Sequence, residues 1–304
     1  MLFNTQSAYS FLQSTLDPKR YVAKGKALGY TSLGLADQGV LHASLTFYQA
    51  CKQAGIKPLI GMMTPLPGRV QVDQVYPYLL YALDDQGYLA LIQVSKAVYA
   101  NPQTDQAWQI IQSYRDHLVL ISPGRQGEIE QALLHDDQDK AVAILNQLQA
   151  AGLTDHFYLG MSIYPFNKLE AQGLIDFAQA MDLRLVANQA IEALEAEDGP
   201  ALKVLQALHA NETLDSSVFD YRTSHYLYGY QEWRAMYTKQ GLGYVLENTE
   251  VLVDQMDVSI PLNQSLLPHF EPPAGQKASD YLRQLCLQGL DRIQQEDILP
   301  TRTG

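Results

Sequence analysis

Strand-like apolar runs alternate with helical segments along most of this chain, and no other sequence feature constrains the fold as strongly. Asp17 and Pro18 begin the first helix in the favoured way, with an Asp at the N-cap and a Pro at the first helical position. Gly29 ends that helix, and a strand-like run follows. Consecutive strands that are connected through helices form a parallel sheet, so the alternation predicts an α/β fold.

The same alternation continues to about residue 210. The second helix has Leu45, Tyr48 and Cys51 at helical spacing and ends at Gly55. With an N-terminal strand included, the chain offers roughly seven strands; those after the first read SLGLA, IKPLIG, PYLLYAL, HLVLISP, FYLGMSI and LRLVAN. This number favours a closed or nearly closed barrel, although the pattern alone also permits an open sheet.

The charge balance of the chain bears on its partners. The 304 residues include 21 Lys and Arg against 33 Asp and Glu, a formal net charge of −12. This sign is unfavourable for a chain whose main task is to hold a phosphate backbone. Any nucleic acid is therefore expected to be held by another region.

The cysteines and the apolar runs bear on location. Cys51 and Cys286 lie far apart and form no metal-ligand spacing, which predicts reduced thiols in a cytoplasmic protein. The sequence has neither a secretion signal at its N-terminus nor a run of about eighteen apolar residues. These features predict no membrane partner.

Parallel barrels carry their chemistry at the carboxyl ends of the strands and in the loops that follow. In strand order, these positions hold Asn4 and Gln6, Asp37 and Gln38, Met62 and Met63, Asp84 and Asp85, Pro123 and Gly124, Tyr164 and Pro165, and Asn188, Gln189 and Glu192. A divalent-metal site requires several His or carboxylate groups at such positions. Only Asp37 and Glu192 are expected to qualify.

Four sequence blocks, taken together, carry a family resemblance. They read FNTQSAYSFLQ, YTSLGLADQGVLHASLTFYQACKQAGIKPLIGMM, LRLVANQAIEALEAED and ENTEVLVDQMDVSI. They resemble the polymerase-and-histidinol-phosphatase (PHP) domain at the N-terminus of bacterial DNA polymerase III alpha subunits. The resemblance covers nearly the whole chain, because LLPHFEPPAGQKASDYLRQLCLQGL is similar to the passage toward the polymerase palm of that subunit.

The resemblance implies a distorted seven-stranded (β/α) barrel whose ligands form a metal cluster that hydrolyses phosphoesters. Most of those ligands are replaced in this chain. Asn4 and Gln6 stand where the family has two His, and Gln38 replaces the His of an Asp-His pair, which leaves Asp37. The other replacements are Met63 at a Glu position, Pro77 where a His often precedes the strand, Gly124 near a Cys or His position, and Ala190 and Glu192 at an Asp and a His position.

Neutral amides and a thioether are poor donors for the hard cations that activate water. We therefore expect neither catalytic residues nor a bound metal, and only Asp37 and Glu192 could hold a cation. A lone Asp at a strand end is more often a turn or cap residue, which is the interpretation we favour for Asp37. The amides are expected to hydrogen-bond one another across the barrel mouth.

Other polar clusters have a structural interpretation. The HDDQDK segment at residues 135–140 resembles a metal site but precedes a helical pattern, so it is interpreted as the helix N-terminus, and so are Asp84 and Asp85. None of the seven His falls at a family ligand position, so no His is assigned a catalytic role. The SHYLYGY segment is expected to pack against the barrel or a neighbouring domain instead of stacking on bases.

The chain is divided into three parts by these patterns. Residues 1–210 are the barrel core, residues 211–268 are a helical and loop part of the same domain, and residues 269–304 are a linker and first helix leading to a polymerase palm. Within residues 211–268, the segment 211–222 is predicted to be a loop. The C-terminus is expected to be a truncation.

The resemblance implies a scaffolding role for this region. The parent polymerase would extend DNA with Mg²⁺ held in its palm, whereas this region needs no cofactor and would contact the palm and thumb. A proofreading exonuclease subunit and other replisome proteins are further candidate partners, and DNA is reached through the parent. One alternative is residual metal-dependent phosphoesterase or 3′–5′ exonuclease activity on Asp37 and Glu192, and another is a free-standing barrel.

Overall fold

A computed structural model describes residues 3–163, 168–214, 225–262, 270–273 and 275–295. The chain divides into two compact units, residues 1–260 and residues 261–304. The first unit is mixed α/β and contains the sheet. The division into 1–210, 211–268 and 269–304 stays a prediction.

Six strands form one sheet in which neighbours in sequence are also neighbours in space. Their bounds are β1 Ser32–Gln38, β2 Lys57–Pro67, β3 Val75–Ala82, β4 Leu118–Ser122, β5 Phe157–Met161 and β6 Arg184–Ala187. Each strand coincides with one of the strand-like runs of the sequence. Most strand residues are buried, as expected of strands covered on both faces.

The expectation of an entirely parallel sheet is wrong at β3. β1 and β2 are parallel, as are β4, β5 and β6, but β3 is antiparallel to both β2 and β4. The cause is a turn over residues 68–74 where a parallel connection would need a crossover helix. The Gly68 amide donates to the Gln74 carbonyl across 2.8 Å and closes this turn.

The N-terminal segment lies between the two edges of the sheet. Thr5 forms an isolated bridge with Ile191, and its carbonyl accepts a hydrogen bond of 2.8 Å from the Ala36 amide of β1. Ile191 follows β6, so residues 4–6 connect both ends of a curled sheet. Within the described residues, the predicted seventh strand is limited to this bridge.

Helices cover the sheet and extend beyond it. Their bounds are α1 Pro18–Ala27, α2 Ser44–Ala54, α3 Asp85–Ala100, α4 Gln106–Ser113, α5 Glu128–Leu134, α6 Gln138–Ala150, α7 Lys168–Ala180, α8 Gly199–Ala210, α9 Tyr230–Lys239, α10 Gly243–Gln255 and α11 Ala278–Gln295. None of those helices combines the length and the apolar character that a membrane crossing needs.

The predicted helix ends are largely confirmed. The Asp17 carboxylate accepts a hydrogen bond from the Arg20 amide across 2.9 Å, and Gly29 and Gly55 have φ angles of +88° and +71°. The α2 prediction was wrong at Leu45, which is 46% exposed, because Phe47 takes the buried position beside Tyr48 and Cys51 in that helix.

The core consists of two clusters. Strand residues such as Leu35, Ile60 and Leu80 pack with the surrounding helices. Alternate strand residues such as Leu79 pack instead with one another, with Leu252 and Val253 of α10, and with Met256 just after that helix. α10 therefore contributes to the second cluster, which also contains Phe3 and Met63.

Candidate functional site

A single large cavity collects the polar positions that the sequence singled out. Its volume is about 1260 Å³. Its lining includes the replaced ligand positions Asn4, Gln6, Gln38, Met63, Pro77, Gly124, Ala190 and Glu192. Asp37 is not part of the lining, and Tyr164 and Pro165 lie outside the described residues. Most of the predicted strand-end positions therefore meet at one cavity, whereas Asp37, Met62 and Gln189 are outside its lining.

The course of the strands explains which positions meet. Ser122, Met161 and Ala187 end the parallel strands β4, β5 and β6, and the residues just after each line the cavity. β3 runs the opposite way, so its beginning lines the cavity through Val75 and Pro77. The interpretation of Asp84 and Asp85 as residues at the same edge was wrong, because the carboxyl end of β3 points away from it.

Met62 and Met63 were predicted to follow a strand but lie within one. β2 extends to Pro67, and both side chains are buried, with Met63 contributing to the lining. Residues 61–67 of β2 pair with residues 75–81 of β3, and the two strands form a hairpin. The thioether of Met63 gives the cavity an apolar wall at the position where the family resemblance places a Glu.

Asp37 accepts hydrogen bonds from the loop that follows residues 4–6. It is only 2% exposed, and its Oδ1 accepts hydrogen bonds from the Ser7 amide across 2.7 Å and from the Ser10 hydroxyl across 2.8 Å. The Ser7 hydroxyl lies 2.8 Å from Oδ2. Burial raises the pKa of Asp37, and these hydrogen bonds oppose the rise. Asp37 lies inside β1, so it is neither a turn nor a cap residue, and its donors come from a loop.

Glu192 is the second carboxylate, and it lines the cavity. Its Oε2 lies 3.1 Å from the Gln206 amide nitrogen and 3.1 Å from His225 Nδ1. All three residues are buried. No His was assigned a catalytic role from the sequence, and the structure places His225 beside Glu192.

The expected network of amides across the cavity mouth is not found. Within the described residues, the side chains of Asn4, Gln6 and Gln38 make no hydrogen bonds with one another. Asn4 and Gln6 contribute backbone bonds instead: the Gln6 amide donates to Ile191 across 3.0 Å and the Asn4 carbonyl accepts from Ile191 across 2.8 Å. Their backbone positions, not their amide groups, hold the two sheet edges together.

A second polar group lies beside the ends of β4 and β5. Glu130 in α5 is 5% exposed, and its Oε2 accepts a short hydrogen bond from the Ser122 hydroxyl. Its Oε1 has no hydrogen-bond partner in the described part of the chain. Burial raises the pKa of Glu130 to about 7, although the bond from Ser122 and the backbone amides of Glu130 and Gly124 oppose the rise. Glu130 is therefore a carboxyl group whose charge changes near neutral pH.

Asn188, just after β6, contributes to the lining of the same cavity. It is 1% exposed, and neither its amide nitrogen nor its amide oxygen has a hydrogen-bond partner among the described residues. A Cβ added at Gly160 would lie 2.4 Å from the Ser122 carbonyl oxygen and 2.7 Å from the Asn188 amide nitrogen. Asn188 thus reaches the cavity because Gly160 has no side chain.

The donor set does not fit a cluster of two or three metal ions. Across the ranges that the structure describes, no three His, Cys, Asp or Glu residues are grouped so that they could hold a metal. Asp37 is saturated by Ser7 and Ser10, and Glu192 is bonded to Gln206 and His225. We therefore derive no reaction step through a metal.

The remaining clusters are helix caps or packed side chains. Asp137 caps α6 through a 3.0 Å bond from the Lys140 amide, and Asp84 caps α3 through a 3.0 Å bond from the Gly87 amide. Both interpretations as helix starts are confirmed. Leu227 and Tyr228 of the SHYLYGY segment are buried, and the Tyr30 hydroxyl donates to the Tyr228 carbonyl. Most of the predicted loop 211–222 lies outside the described residues.

Sequence reasoning missed the residues Glu130, Gln206 and His225. Glu130 lies in a short helix with two other Glu-or-Gln positions nearby, and its residue type is equally common on exposed helices. One sequence signal was available. Pro123 and Gly124 follow the carboxyl end of a strand, where the site was expected, so the helix after them could be expected to begin beside the cavity. No such signal marks His225, which follows residues outside the described range.

Comparisons with known proteins identify sequence relatives of this chain. Residues 3–163, more than half of the chain, match a family model described as the PHP domain. A DNA polymerase III subunit alpha from Halalkalibacterium halodurans is 30% identical over 296 residues, covering 94% of this chain and 25% of that protein. The corresponding subunit from Bacillus subtilis is 27% identical over 284 residues, covering 93% of this chain and 25% of that protein.

This chain is thus homologous to DNA polymerase III alpha subunits over most of its length, and it spans about a quarter of the length of the curated relatives it matches. Among solved structures, an amidohydrolase from Chromobacterium violaceum superposes with a TM-score of 0.42 and 13% identity, covering 63% of this chain and 87% of that chain.

Proposed function

The chain belongs to the PHP domain family, and from this premise we propose that it is the N-terminal PHP region of a DNA polymerase III alpha subunit that acts as a scaffold. The homology to alpha subunits over most of the chain supports the assignment to that polymerase. Residues 4–6, which lie between the two sheet edges, would take the place of the seventh strand in a distorted barrel. A cytoplasmic location follows from this assignment.

One observation supports the scaffold proposal. The cavity is lined by the positions at which the family has metal ligands, but most of the side chains at those positions are not metal ligands. Asn4, Gln6 and Gln38 supply neutral amides, and Asp37 lies beneath the lining with its oxygens bonded to Ser7 and Ser10. A hydrolytic metal cluster needs several charged ligands and an open coordination position. The side chains that remain serve the fold.

The activity of the parent is part of the same proposal. The polymerase would add deoxynucleotides with Mg²⁺ held by palm residues outside this chain. The barrel would pack against the palm and thumb, and it would offer a docking surface to a proofreading exonuclease subunit and other replisome proteins. DNA would be held elsewhere, in keeping with the net charge of −12 here.

Residual hydrolysis of phosphoesters or of DNA 3′ ends is the alternative. It would require Asp37 or Glu192 to exchange its present hydrogen bonds for a metal ion. No contact of either residue in the described structure favours that exchange.

Metal content is the decisive measurement. The purified chain is incubated with Zn²⁺ and Mn²⁺, desalted and analysed for metal, and it is also assayed for hydrolysis of a phosphodiester and of DNA 3′ ends. We expect metal near zero per chain and no hydrolysis that a chelator abolishes, because the ligand set is incomplete.

A matched variant controls this experiment. Asn4→His, Gln6→His and Gln38→His in one chain restore imidazole at three positions that line one cavity. This variant should retain more Zn²⁺ than the parent chain. Two or more ions per unaltered chain, with chelator-sensitive hydrolysis, would refute the scaffold proposal.

A further inference from the structure

The charged residues are distributed unequally along this chain. Residues 1–72 contain seven Lys and Arg against two Asp and Glu, a net charge of +5. Residues 73–304 contain fourteen against thirty-one, a net charge of −17. Of the two early carboxylates, Asp37 is buried within β1. The first 72 residues are therefore a cationic part of an acidic chain, a charge asymmetry that is typical of proteins that contact a polyanion.

The positive charge is concentrated on α1. This helix contains four of the seven cations and no Asp or Glu. Lys24 is paired with Glu195 at 2.5 Å. Lys19, Arg20 and Lys26 are exposed, and none of them pairs with a carboxylate of the described residues. Lys19 and Lys26 are two turns apart on one face of the helix, separated by about 10 Å along its axis.

Two exposed aromatic side chains lie next to this helix. Tyr9 is 53% exposed and Phe11 is 79% exposed. Both belong to the loop over residues 8–16, whose ends are joined by a 2.9 Å hydrogen bond from the Ala8 amide to the Leu16 carbonyl. Because α1 begins two residues after this loop, the aromatic side chains adjoin the first turn of the helix.

The conformation of this loop is fixed by the fold. Ser7 and Ser10 both donate hydrogen bonds to Asp37 of β1. Leu12 has a φ angle of +59°, which is unusual for a residue with a bulky side chain. Such a conformation persists only where surrounding contacts impose it, and it is concentrated at sites that contact ligands. The loop therefore keeps Phe11 exposed in a fixed position.

Cations and exposed rings at one place fit a single strand of nucleic acid. Lys and Arg neutralise its phosphates, and aromatic rings stack on unpaired bases of any sequence. A duplex would use the cations only, because its base faces are covered by neighbouring base pairs. A run of carboxylates in an acidic peptide would likewise leave the rings unused.

We propose that Tyr9, Phe11, Lys19, Arg20 and Lys26 form a contact surface for single-stranded nucleic acid. The phosphates contact the cations of α1, and one or two unpaired bases stack on the rings of the loop. The contact is weak, because the acidic remainder of the chain repels the same strand. This surface goes beyond the scaffold role and does not depend on it, since it uses none of the family ligand positions.

Fluorescence anisotropy with a labelled thymidine oligonucleotide of about 20 nucleotides tests this surface. The unaltered chain is titrated to about 300 μM in about 20 mM salt, and we expect half-saturation at about 50 to 100 μM. Binding should be at least tenfold weaker in about 150 mM salt, because phosphate contacts release fewer counterions favourably there. A duplex of about the same length should bind at least fivefold more weakly than the single strand, since it offers no unpaired bases.

One pair of variants tests the cations. Lys19→Gln combined with Arg20→Gln should weaken binding of the oligonucleotide at least fivefold. Lys96→Gln combined with Lys239→Gln removes the same charge from exposed positions in α3 and α9, and should change the affinity less than twofold.

A second pair of variants tests the rings. Phe11→Ala should weaken binding of the oligonucleotide at least threefold, because it removes a stacking surface. Tyr99→Ala removes a ring of α3 that is 88% exposed, and should change the affinity less than twofold. All the substituted side chains are exposed, so each variant should unfold at the same temperature as the unaltered chain.

Four results would overturn the proposal. They are no saturation by the oligonucleotide in low salt, equal binding of the duplex, equal losses in a test variant and its control, and equal binding of a polyglutamate of the same charge. The last result would assign the cations to an acidic protein segment. Metal retention by the unaltered chain would refute the scaffold role alone, so the two proposals fail separately.

Discussion

At the scale of single residues, Asp37 and Glu130, both buried carboxyl groups, differ in their hydrogen-bond donors. Asp37 receives donors from Ser7 and Ser10 on both oxygens, whereas the side-chain donor to Glu130, Ser122, reaches one oxygen. Burial raises the pKa of both groups. Asp37 therefore contributes to the fold, whereas Glu130 contributes to the lining of the cavity.

Replacing Asp37 by Asn should destabilise the protein. An amide in this position keeps one acceptor oxygen but presents N–H donors toward Ser7 and Ser10, which already donate. We expect the free energy of unfolding to fall by about 2 to 4 kcal/mol. Urea denaturation measures it, with the exposed Asp105→Asn at the start of α4 as a control that should change by less than about 0.5 kcal/mol. Equal losses in both variants would contradict this assignment.

Glu130 should make the protein less stable as the pH rises. Its pKa is about 7 in the folded chain against 4.5 for an ordinary Glu, so the folded state binds the proton more tightly. Stability from this group is fully present below the unfolded pKa and is lost as the pH rises through the folded pKa. The side chain of the Glu130→Gln variant does not titrate, so this variant does not lose that stability at high pH.

The expected difference is measured by urea denaturation at about pH 5 and about pH 8. Relative to the unaltered chain, Glu130→Gln should gain up to about 3 kcal/mol between the two pH values. Asp37 and the other titrating groups are common to both chains and cancel in the comparison. A gain of zero would show that Glu130 titrates normally in the folded protein.

At the scale of elements, helix caps and strand positions could be predicted, and strand direction could not. Caps depend on a few consecutive residues, so Asp17, Asp84 and Asp137 were each identifiable before the structure. The direction of β3 depends on the turn at residues 68–74, which lacks the short Asn-Gly or Asp-Gly signature of a hairpin. A period-two pattern is the same in both directions.

The HDDQDK segment offers a sharp test of the cap interpretation. Asp137→Ala removes the bond to the Lys140 amide and should cost about 1 kcal/mol of stability. Asp139→Ala removes a charge from the same first turn of α6 but no cap bond, and should cost less than about half of that. Thermal unfolding distinguishes the two, and equal costs would show that charge alone matters there.

The candidate site was predictable to the same degree as the strands. Positions such as Gln6, Gly124 and Glu192 follow from strand ends, and they do line one cavity. Hydrogen-bond partners were not predictable, because they depend on how side chains from different elements meet, as Ser7 does with Asp37 and Ser122 with Glu130.

At the scale of the whole molecule, the net charge of −12 lowers the expected affinity of the chain for DNA. Binding to duplex DNA depends on Lys and Arg that displace counterions from phosphates, and an acidic chain gains little from this. We expect no saturable binding of the full chain to a fluorescent duplex at about 150 mM salt, measured by anisotropy up to about 10 μM protein. Saturation at submicromolar protein with a steep salt dependence would contradict this expectation.

The reversal of β3 has a consequence for how this curled sheet can change over evolution or in the laboratory. A crossover helix must keep an apolar face buried, so an inserted residue shifts that face and disturbs the core. The connection before β3 is instead a turn in which residues 72–74 are exposed, while Val75 borders the cavity. New segments can therefore be inserted into this turn, next to the cavity, without changing the helices and core residues that pack on the sheet.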